Sequence, residues 1–575
     1  MTFDAATDPT PEEAIDPRVH ARRWWILAVL CLSLLIVFIG NSSLNVAIPT
    51  LARDLDATES QLQWVIASYS LVFAGLLFTT GAIGDRFGRK GALQAGLVIF
   101  LAGCVAATFS TSMELLIACR AVMGLGAALI MPCTLSILVN VFPPEERTKA
   151  IAIWASVTGA AGAIGPVASG FVLGHWWYGA VFLVNIPFIT LALVAGFFLV
   201  PKSRDPEQGK LDPLGALLSI VGLSSIVFGL IEAPERGWGS PITVGSFVVG
   251  LVAIVLFVMW ERRVDEPMLD MAYFRNGAFS TGVSGMILVF MAMYGVMFLV
   301  TQYFQLILGY TPLGTAIRFL PMAPIMIIVA PLTPRLSARF GANRTVSFGL
   351  GLVGVGLIMF RALGVEANYL YILLCIALLV SGIALAMSPL TAGIMAAVPP
   401  RRAGAGSAAN DSTREIGAAL GVAVMGSLAA SGYGRAVADA LPAGLASSAR
   451  DAAESSLAGA IAVAEKLPAE VGNHVVTVAS EAFVDGLHLA VTIGAVLAWI
   501  AALLVLRFLP AQVAHGAPGQ SALDAIEDVL ELGIAGVEPV FADQTFPGDL
   551  AREGDAGPSA NGRRPQDADG PAVSD

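Results

Sequence analysis

Fourteen predominantly apolar stretches run through this chain, near residues 24–48, 61–83, 91–110, 113–141, 149–173, 179–200, 213–232, 241–260, 279–306, 313–334, 343–363, 369–397, 404–430 and 482–508. A helix rises about 1.5 Å per residue, so about 20 apolar residues cross the ~30 Å hydrocarbon layer of a bilayer. No soluble core absorbs that much apolar surface. Only 13% of the 575 residues are charged, against about 25% in a soluble domain. The predicted class is an all-α membrane protein with fourteen transmembrane helices.

Lys and Arg gather on the cytoplasmic side of membrane proteins, and here they set the orientation. Arg18, Arg22 and Arg23 flank the first stretch. Alternate connections carry Arg86/Arg89/Lys90, Arg147/Lys149, Lys202/Arg204/Lys210, Arg262/Arg263/Arg275, Arg335/Arg339/Arg344 and Arg401/Arg402. The opposite connections hold Arg53, Arg236 and Arg361, with Arg318 near a helix end. Both termini are therefore expected in the cytoplasm of a multi-pass plasma (inner) membrane protein. The formal net charge of -11 does not contradict this. Between 510 and 575, twelve acids face only Arg552, Arg563 and Arg564, which leaves the membrane body close to neutral. That segment is rich in Pro, Gly, Asp and Ala and reads as a disordered acidic cytoplasmic tail, with one helical candidate at 521–532. It serves either as a solubilising extension or as a partner-binding arm.

Several chemistries find no support. The five cysteines (Cys31, Cys104, Cys119, Cys133 and Cys375) lie inside apolar runs and form no CxxC pair, so they read as small core residues. The five histidines form no cluster or HExxH string, and no Gly-x-x-x-x-Gly-Lys-Ser/Thr string offers ATP a cradle. No nucleophile–base constellation points to an enzyme. Cofactor, metal and nucleic acid are all expected to be absent. The polar first 23 residues, with Pro9, Pro11 and Pro17, do not read as a cleavable signal.

One connection carries more than charge. Gly81-Ala-Ile-Gly84-Asp85-Arg86-Phe87-Gly88-Arg89-Lys90 joins the second and third stretches. Its glycines permit a tight turn, and Asp85 among cations at helix ends supplies an ion pair able to latch one conformation. The string resembles the loop signature of the major facilitator superfamily (MFS), Gly-x-Leu-x-Asp-Arg-x-Gly-Arg-Arg/Lys, with Ile83 in the Leu place. Arg120-Ala-Val-Met-Gly124-Leu-Gly126 is similar to the family's intramembrane Arg motif. Gly162, Gly165-Pro166 and Gly170 are similar to its antiporter signature Gly-x-x-x-Gly-Pro-x-x-Gly-Gly, with Ala161 and Ser169 departing from it.

Further segments resemble one branch, the fourteen-span drug:proton antiporters of the EmrB/QacA type. They are Asn45-Val-Ala-Ile-Pro49, Gln63-Trp64-Val65, Phe182-Leu-Val-Asn185-Ile-Pro187, Gln305 with Gly309-Tyr310-Thr-Pro312, and Asn410-Asp411-Ser-Thr-Arg414-Glu415-Ile-Gly417. The resemblance covers about residues 20–510 and implies the MFS fold, two six-helix bundles plus two inserted helices. The expected parts are a cytoplasmic segment at 1–23, a bundle at 24–200, and an insertion with its flanking loops at 201–278. A second bundle follows at 279–509, with an external loop at 432–481, and the tail occupies 510–575. One trace of a repeat stands apart from the resemblance. Pro331-Leu-Thr-Pro334-Arg335-Leu-Ser-Ala-Arg339-Phe340-Gly341 takes the place of the first loop motif in the second half, keeping Arg-Phe-Gly without the Asp. Such repeats place a substrate site near the bilayer midplane between the halves.

An unpaired charge at the centre of a membrane helix costs roughly 2.5–3.5 kcal/mol on insertion scales, so ionisable residues there are functional candidates. Arg120 lies about two turns into the fourth stretch. Asp411, Arg414 and Glu415 share the thirteenth, with Asp411 and Glu415 at i,i+4 and Arg414 within i,i+3 reach of Asp411. This set either carries a titratable proton or is a structural ion cluster. The resemblance also marks a departure. Gly40 stands where the family often carries an Asp linked with proton or cation handling, followed by Asn41, Ser42 and Ser43. Coupling then shifts to Asp411 and Glu415 or differs altogether. Neutral, amphipathic and anionic compounds stand level with cationic drugs as substrates.

Candidates to line the cavity are Asn41, Gln63, Trp64 and Tyr69 in the first half and Gln302, Tyr303 and Gln305 in the second. Met286, Met291, Met293 and Met297 are adaptable contacts there or ordinary packing. Pro321, Pro324, Pro331 and Pro334 predict an irregular tenth helix. Helical pieces are expected at 445–467 in the external loop, as a gate or as a spacer. The functional reading is a proton-driven, multidrug-type efflux transporter that confers antibiotic resistance. It would be a monomer, exporting a hydrophobic or amphipathic small molecule across the lipid bilayer by alternating access. The alternatives are a dedicated exporter of an endogenous metabolite, lipid or self-made antibiotic and, more distantly, a non-transporting membrane receptor.

Overall fold

The computed structural model describes residues 17–203, 212–399, 403–442 and 445–511. The acidic tail with its helical candidate, and the basic residues Arg204, Lys210, Arg401 and Arg402, lie outside the described residues. The described residues form helices and connections, with no strand among them. The first bundle consists of α1 (Pro17–Asp54), α2 (Glu59–Phe87), α3 (Arg89–Thr108), α4 (Met113–Val141), α5 (Pro144–Leu173) and α6 (Ala180–Leu199). A hairpin of α7 (Pro213–Arg236) and α8 (Pro241–Glu261) follows. The second bundle opens with α9 (Gly277–Ile307) and α10, which comes in three pieces, Pro312–Phe319, Met322–Val329 and Leu332–Phe340. It continues with α11 (Ala342–Ala362), α12 (Tyr369–Ala396) and α13 (Ala403–Ala430). Short helices α14 (Tyr433–Ala440), α15 (Ser447–Ser455) and α16 (Leu457–Ala464) precede the last span, α17 (Ala469–Phe508). Thirteen of these helices are long and apolar enough to cross a membrane. Of the fourteen spans expected from the sequence, the 30-residue α5 is the one not among these thirteen.

Local chemistry sets the helix ends. Thr58 and Gln61 form a reciprocal capping box at the start of α2, and Ser112, Ser240 and Asn276 cap α4, α8 and α9. Each cap oxygen accepts from an N–H that the helix leaves unpaired. α10 is interrupted beside Pro321 and Pro331, whose missing N–H groups cannot continue the ladder. The sequence predicts that irregularity. It also predicts the helical pieces α15 and α16. It places the last span at 482–508, whereas α17 begins at Ala469, because Glu470, Asn473, His474 and Glu481 continue a helix that the apolar pattern does not mark.

Both bundles use one construction. Gly88 and Gly341 end α2 and α10 at φ +111° and +92°, a region that favours glycine. The next residue of each chain segment then donates its N–H to a carbonyl just past the last helix of its own bundle. These bonds, Arg89 to Ser203 and Ala342 to Ala511, are both 2.9 Å. The trace of repetition in the sequence is therefore a repeat in space. Within the bundles, α3 meets α4 where Gly96 faces Gly126, as α11 meets α12 where Gly349 faces Gly382.

The inserted hairpin covers the seam between the bundles. α7 packs against both α2 and α13, burying Ala67, Leu71, Val227, Ile231, Ala419 and Ala423 together. Ser60 Oγ donates to Ile231 O at 3.2 Å, and Ser427 Oγ donates to Leu230 O. The outer helix α8 leaves Val248, Leu251, Val252, Val255 and Leu256 exposed, as a lipid-facing helix does.

The glycine contact between α3 and α4 gives a direct test. A Cβ on Gly126 would lie 2.7 Å from Phe100 N, whereas one on Gly351 meets nothing within 4 Å. Gly126→Val is expected to cost about 1–3 kcal/mol through overpacking. The melting temperature of the detergent-purified protein should fall for that variant and hold for Gly351→Ala.

Candidate functional site

α4 carries Arg120 into the middle of the first bundle, where it is fully buried. Its Nε donates to Val65 O at 3.1 Å, Nη1 to Gly40 O at 3.2 Å and Nη2 to Asn41 Oδ1 at 3.2 Å. The guanidinium lies over the Tyr69 ring, 4.3 Å from its centroid, and Tyr69 Oη donates to Val37 O at 3.4 Å. All of these partners are neutral. Hydrogen bonds to a charged group contribute about 1.5–3 kcal/mol each, enough together to offset much of the cost of burying the cation. Gly40 is central here. The position where the family often has an acid instead offers a backbone carbonyl, and a Cβ on it would sit 3.0 Å from Phe100 Cζ.

The carboxylates on α13 divide. Arg414 Nη1 lies 3.7 Å from Asp411 Oδ1, and Asn410 Nδ2 donates to the same oxygen at 3.4 Å. The Arg414 guanidinium also lies 5.6 Å from the centroid of the Phe290 ring. Glu415 turns elsewhere. It is 8% exposed, and its Oε2 accepts from Ser70 Oγ of α2 at 2.7 Å. Beside it, Ser412 Oγ donates to Ala74 O at 3.2 Å. A buried acid of the second bundle is thus hydrogen-bonded across the seam to the first. Ser70 carried no signal in the sequence, since a serine among apolar residues is unremarkable until its neighbour is known.

The remaining cavity candidates scatter. Asn41 and Tyr69 gather around Arg120. Gln63 packs against Gly426 of α13, with its Oε1 unpaired among the described residues, and Trp64 faces Phe228 on the inserted hairpin at 6.1 Å between centroids. Gln302 Nε2 donates to Glu59 Oε1 at 3.1 Å, and Gln305 Nε2 to Val46 O at 2.9 Å. Both bonds join α9 to the first bundle at the end of the molecule remote from the α2–α3 turn. Tyr303 Oη donates to Gly364 O at 2.6 Å within the second bundle. Met286 and Met291 are buried packing.

The glycine motif on α5 works at two contacts. A Cβ on Gly165 would overlap Ser42 Oγ, and Ser43 Oγ donates to Gly165 O at 3.1 Å, drawing α5 onto α1. A Cβ on Gly170 would lie 2.8 Å from both Leu313 Cα and Pro312 O, so α5 touches the start of α10 in the other bundle. Pro166 is buried inside the helix, while a Cβ on Gly162 would meet nothing within 4 Å among the described residues. In the α2–α3 turn, Arg89 Nε donates to Asp85 Oδ1 at 2.7 Å and Lys90 Nζ to Phe197 O at 2.7 Å. Arg86 lies over the Phe87 ring, Gly81 faces Pro132, and Gly84 faces Cys133 of α4 so closely that a Cβ would fall 2.8 Å from its sulfur. The ion pair between Asp85 and Arg89 is therefore internal to the turn.

The family model described as Major Facilitator Superfamily matches residues 30–422. The chain is 35% identical over 489 residues to the multidrug efflux pump LfrA of Mycolicibacterium smegmatis, spanning 85% of this chain and 96% of that one. It is 31% identical over 509 residues to the tetracenomycin C resistance and export protein of Streptomyces glaucescens, spanning 87% and 94%. Among solved structures, it superposes on a bacterial homolog of the human lysosomal transporter Spinster, inward-facing and unoccupied. The TM-score is 0.59, over 86% of this chain and 99% of that one. At 17% identity that likeness speaks for the fold alone.

The cage around Arg120 predicts a specific loss. Lysine has one nitrogen where arginine reaches three acceptors in different directions. Arg120→Lys should destabilise the protein by about 1–3 kcal/mol for each acceptor left unmatched. A fall in melting temperature much larger than that of Ser70→Ala is the expected result.

Proposed function

The chain belongs to the major facilitator superfamily, and from that premise we propose that it exports hydrophobic or amphipathic small molecules in exchange for protons. Support for export comes from the relatives, a multidrug efflux pump and an antibiotic resistance and export protein that it matches over nearly their whole lengths. The observation that carries proton coupling is Glu415, a carboxyl buried on the seam and held by Ser70 of the other bundle. The sorting of Lys and Arg supports placing the start of α1 and the α2–α3 turn in the cytoplasm of a plasma (inner) membrane, with both termini there. The bonds Gln302–Glu59 and Gln305–Val46 and the contact of Gly170 with Leu313 then close the external side.

In this reading a substrate enters from the cytoplasm or the inner leaflet while the external side is shut. Opening outward separates α5 from α10 and breaks the two glutamine bonds. Glu415 biases that exchange. An ionised carboxylate in a low-dielectric seam is drawn towards the unneutralised Arg120 of the opposite bundle, whereas a protonated one is not. Proton occupancy thereby shifts the balance between seam arrangements, as a ligand shifts a two-state equilibrium. The cage around Arg120 has no acid at Gly40, so substrates need not be cations. Similarity to an antibiotic resistance and export protein favours a second reading, a dedicated exporter of one endogenous compound.

Purified protein in liposomes tests this directly. An imposed pH gradient should drive uptake or release of amphipathic dyes by the wild type, and Glu415→Gln should remove the dependence on the gradient while dye binding persists. Gradient-driven flux equal to wild type in that variant would end the assignment. Asp85→Ala is expected to lower efflux at least about tenfold with an unchanged amount of protein in the membrane, because the paired turn latches one state. Measuring cell efflux against membrane abundance checks it.

A further inference from the structure

At the foot of the inserted hairpin are two carboxyls that no step above uses. Asp212, immediately before α7, is 6% exposed, and Glu261, the last residue of α8, is 2% exposed. Each has one oxygen engaged. Asp212 Oδ1 accepts the Gly215 N–H at 2.9 Å and the Trp260 Nε1–H at 2.8 Å, and Glu261 Oε2 accepts the Leu269 N–H at 3.1 Å. The other two oxygens, Asp212 Oδ2 and Glu261 Oε1, are buried and have no hydrogen-bond partner among the described residues. Both are aimed at one small volume above Gly215. A Cβ on that glycine would lie 2.6 Å from Glu261 Oε1 and closer still to Asp212 Oδ2.

The surroundings offer no described cation to neutralise the pair. Arg262, Arg263, Asp265 and Glu266, on the connection that follows α8, are exposed. Asp270 is occupied with the Ala272 N–H at 2.8 Å. The end of α2 contributes Thr79, whose hydroxyl points to the Met268 sulfur. No salt bridge joins either carboxyl among the described residues. Two bare carboxylates sharing a buried volume repel each other, and acceptors alone leave both free oxygens unsatisfied. One proton corrects both faults, because a protonated carboxyl becomes a donor to its neighbour. A resident divalent ion is a poorer match, since calcium takes about six to eight oxygen ligands and two are free here.

We propose that Asp212 and Glu261 form a proton-binding site, holding a single shared proton that fastens the start of α7 to the end of α8. Through Leu269 the same pair ties the hairpin to the connection that leads into α9. Since α7 lies along the seam between the bundles, loss of this proton loosens the foot of the element that covers the seam. The site is separate from Glu415, and its test does not depend on transport.

Infrared spectroscopy of the full chain in lipid nanodiscs at neutral pH reads the proton as a carboxylic-acid carbonyl band that shifts in heavy water. Asp212→Asn and Glu261→Gln each place an amide donor where the proton would be, so either variant should fold and lose this contribution to the band. The folded wild type holds a proton there that the unfolded chain has released, so its melting temperature should fall as pH rises. Both amide variants should show a shallower fall. A band unchanged in both variants, or melting curves with the wild-type slope against pH, overturns the proposal. So does stabilisation of the wild type, but not of the variants, by added calcium or magnesium, which would make the pair a metal site.

Discussion

A guanidinium inside a hydrocarbon slab must be satisfied by its own chain, and Arg120 is satisfied from α1 and α2 while riding on α4. Three helices of the first bundle are thereby fixed in register by one side chain. The cage is built of carbonyls, an amide oxygen and an aromatic face, so it holds the cation without cancelling its charge. In the proposed mechanism, the carboxyl on the facing bundle responds to that residual charge. Gly40 contributes its carbonyl to the cage, and a Cβ at that position would press on Phe100 rather than on Arg120.

The two bundles share a plan and differ in chemistry. Gly88 and Gly341, each followed by a main-chain tether to the end of its own bundle, show the same turn built twice. Only the first copy carries an acid, Asp85, paired with Arg89. Between the bundles, the remote end is held by hydrogen bonds from two glutamines and by glycine-level contact of α5 with α10. The α2–α13 seam is held by serine hydroxyls and one acid. These are weak, reversible bonds of about 0.5–1.5 kcal/mol for a neutral pair. They suit surfaces that must separate and reform.

Much of this was legible in the sequence. Apolar length fixed the helices, and proline placement predicted the interruptions of α10. The charged residues worth attention, Arg120 and the α13 acids, stood out because hydrocarbon makes charge expensive. What the sequence could not convey was direction around each helix axis. Asp411 and Glu415 share a helical face by spacing, yet one pairs with Arg414 and the other crosses to Ser70. Trp64 lies one residue from Gln63 but faces the inserted hairpin, since α7 occupies that flank of α2. Glu59 is a helix-start residue in sequence and a bond between bundles in space. In each case the deciding partner lies far along the chain, and local pattern carries no information about it.

We propose that Glu415 exchanges its proton as the transporter changes state around a substrate. Proton release measured on mixing a transported amphipathic dye with purified protein in weak buffer tests it most directly. Release from the wild type and its loss in Glu415→Gln, with dye binding intact in both, is the expected result. Equal proton release from the two proteins would contradict it.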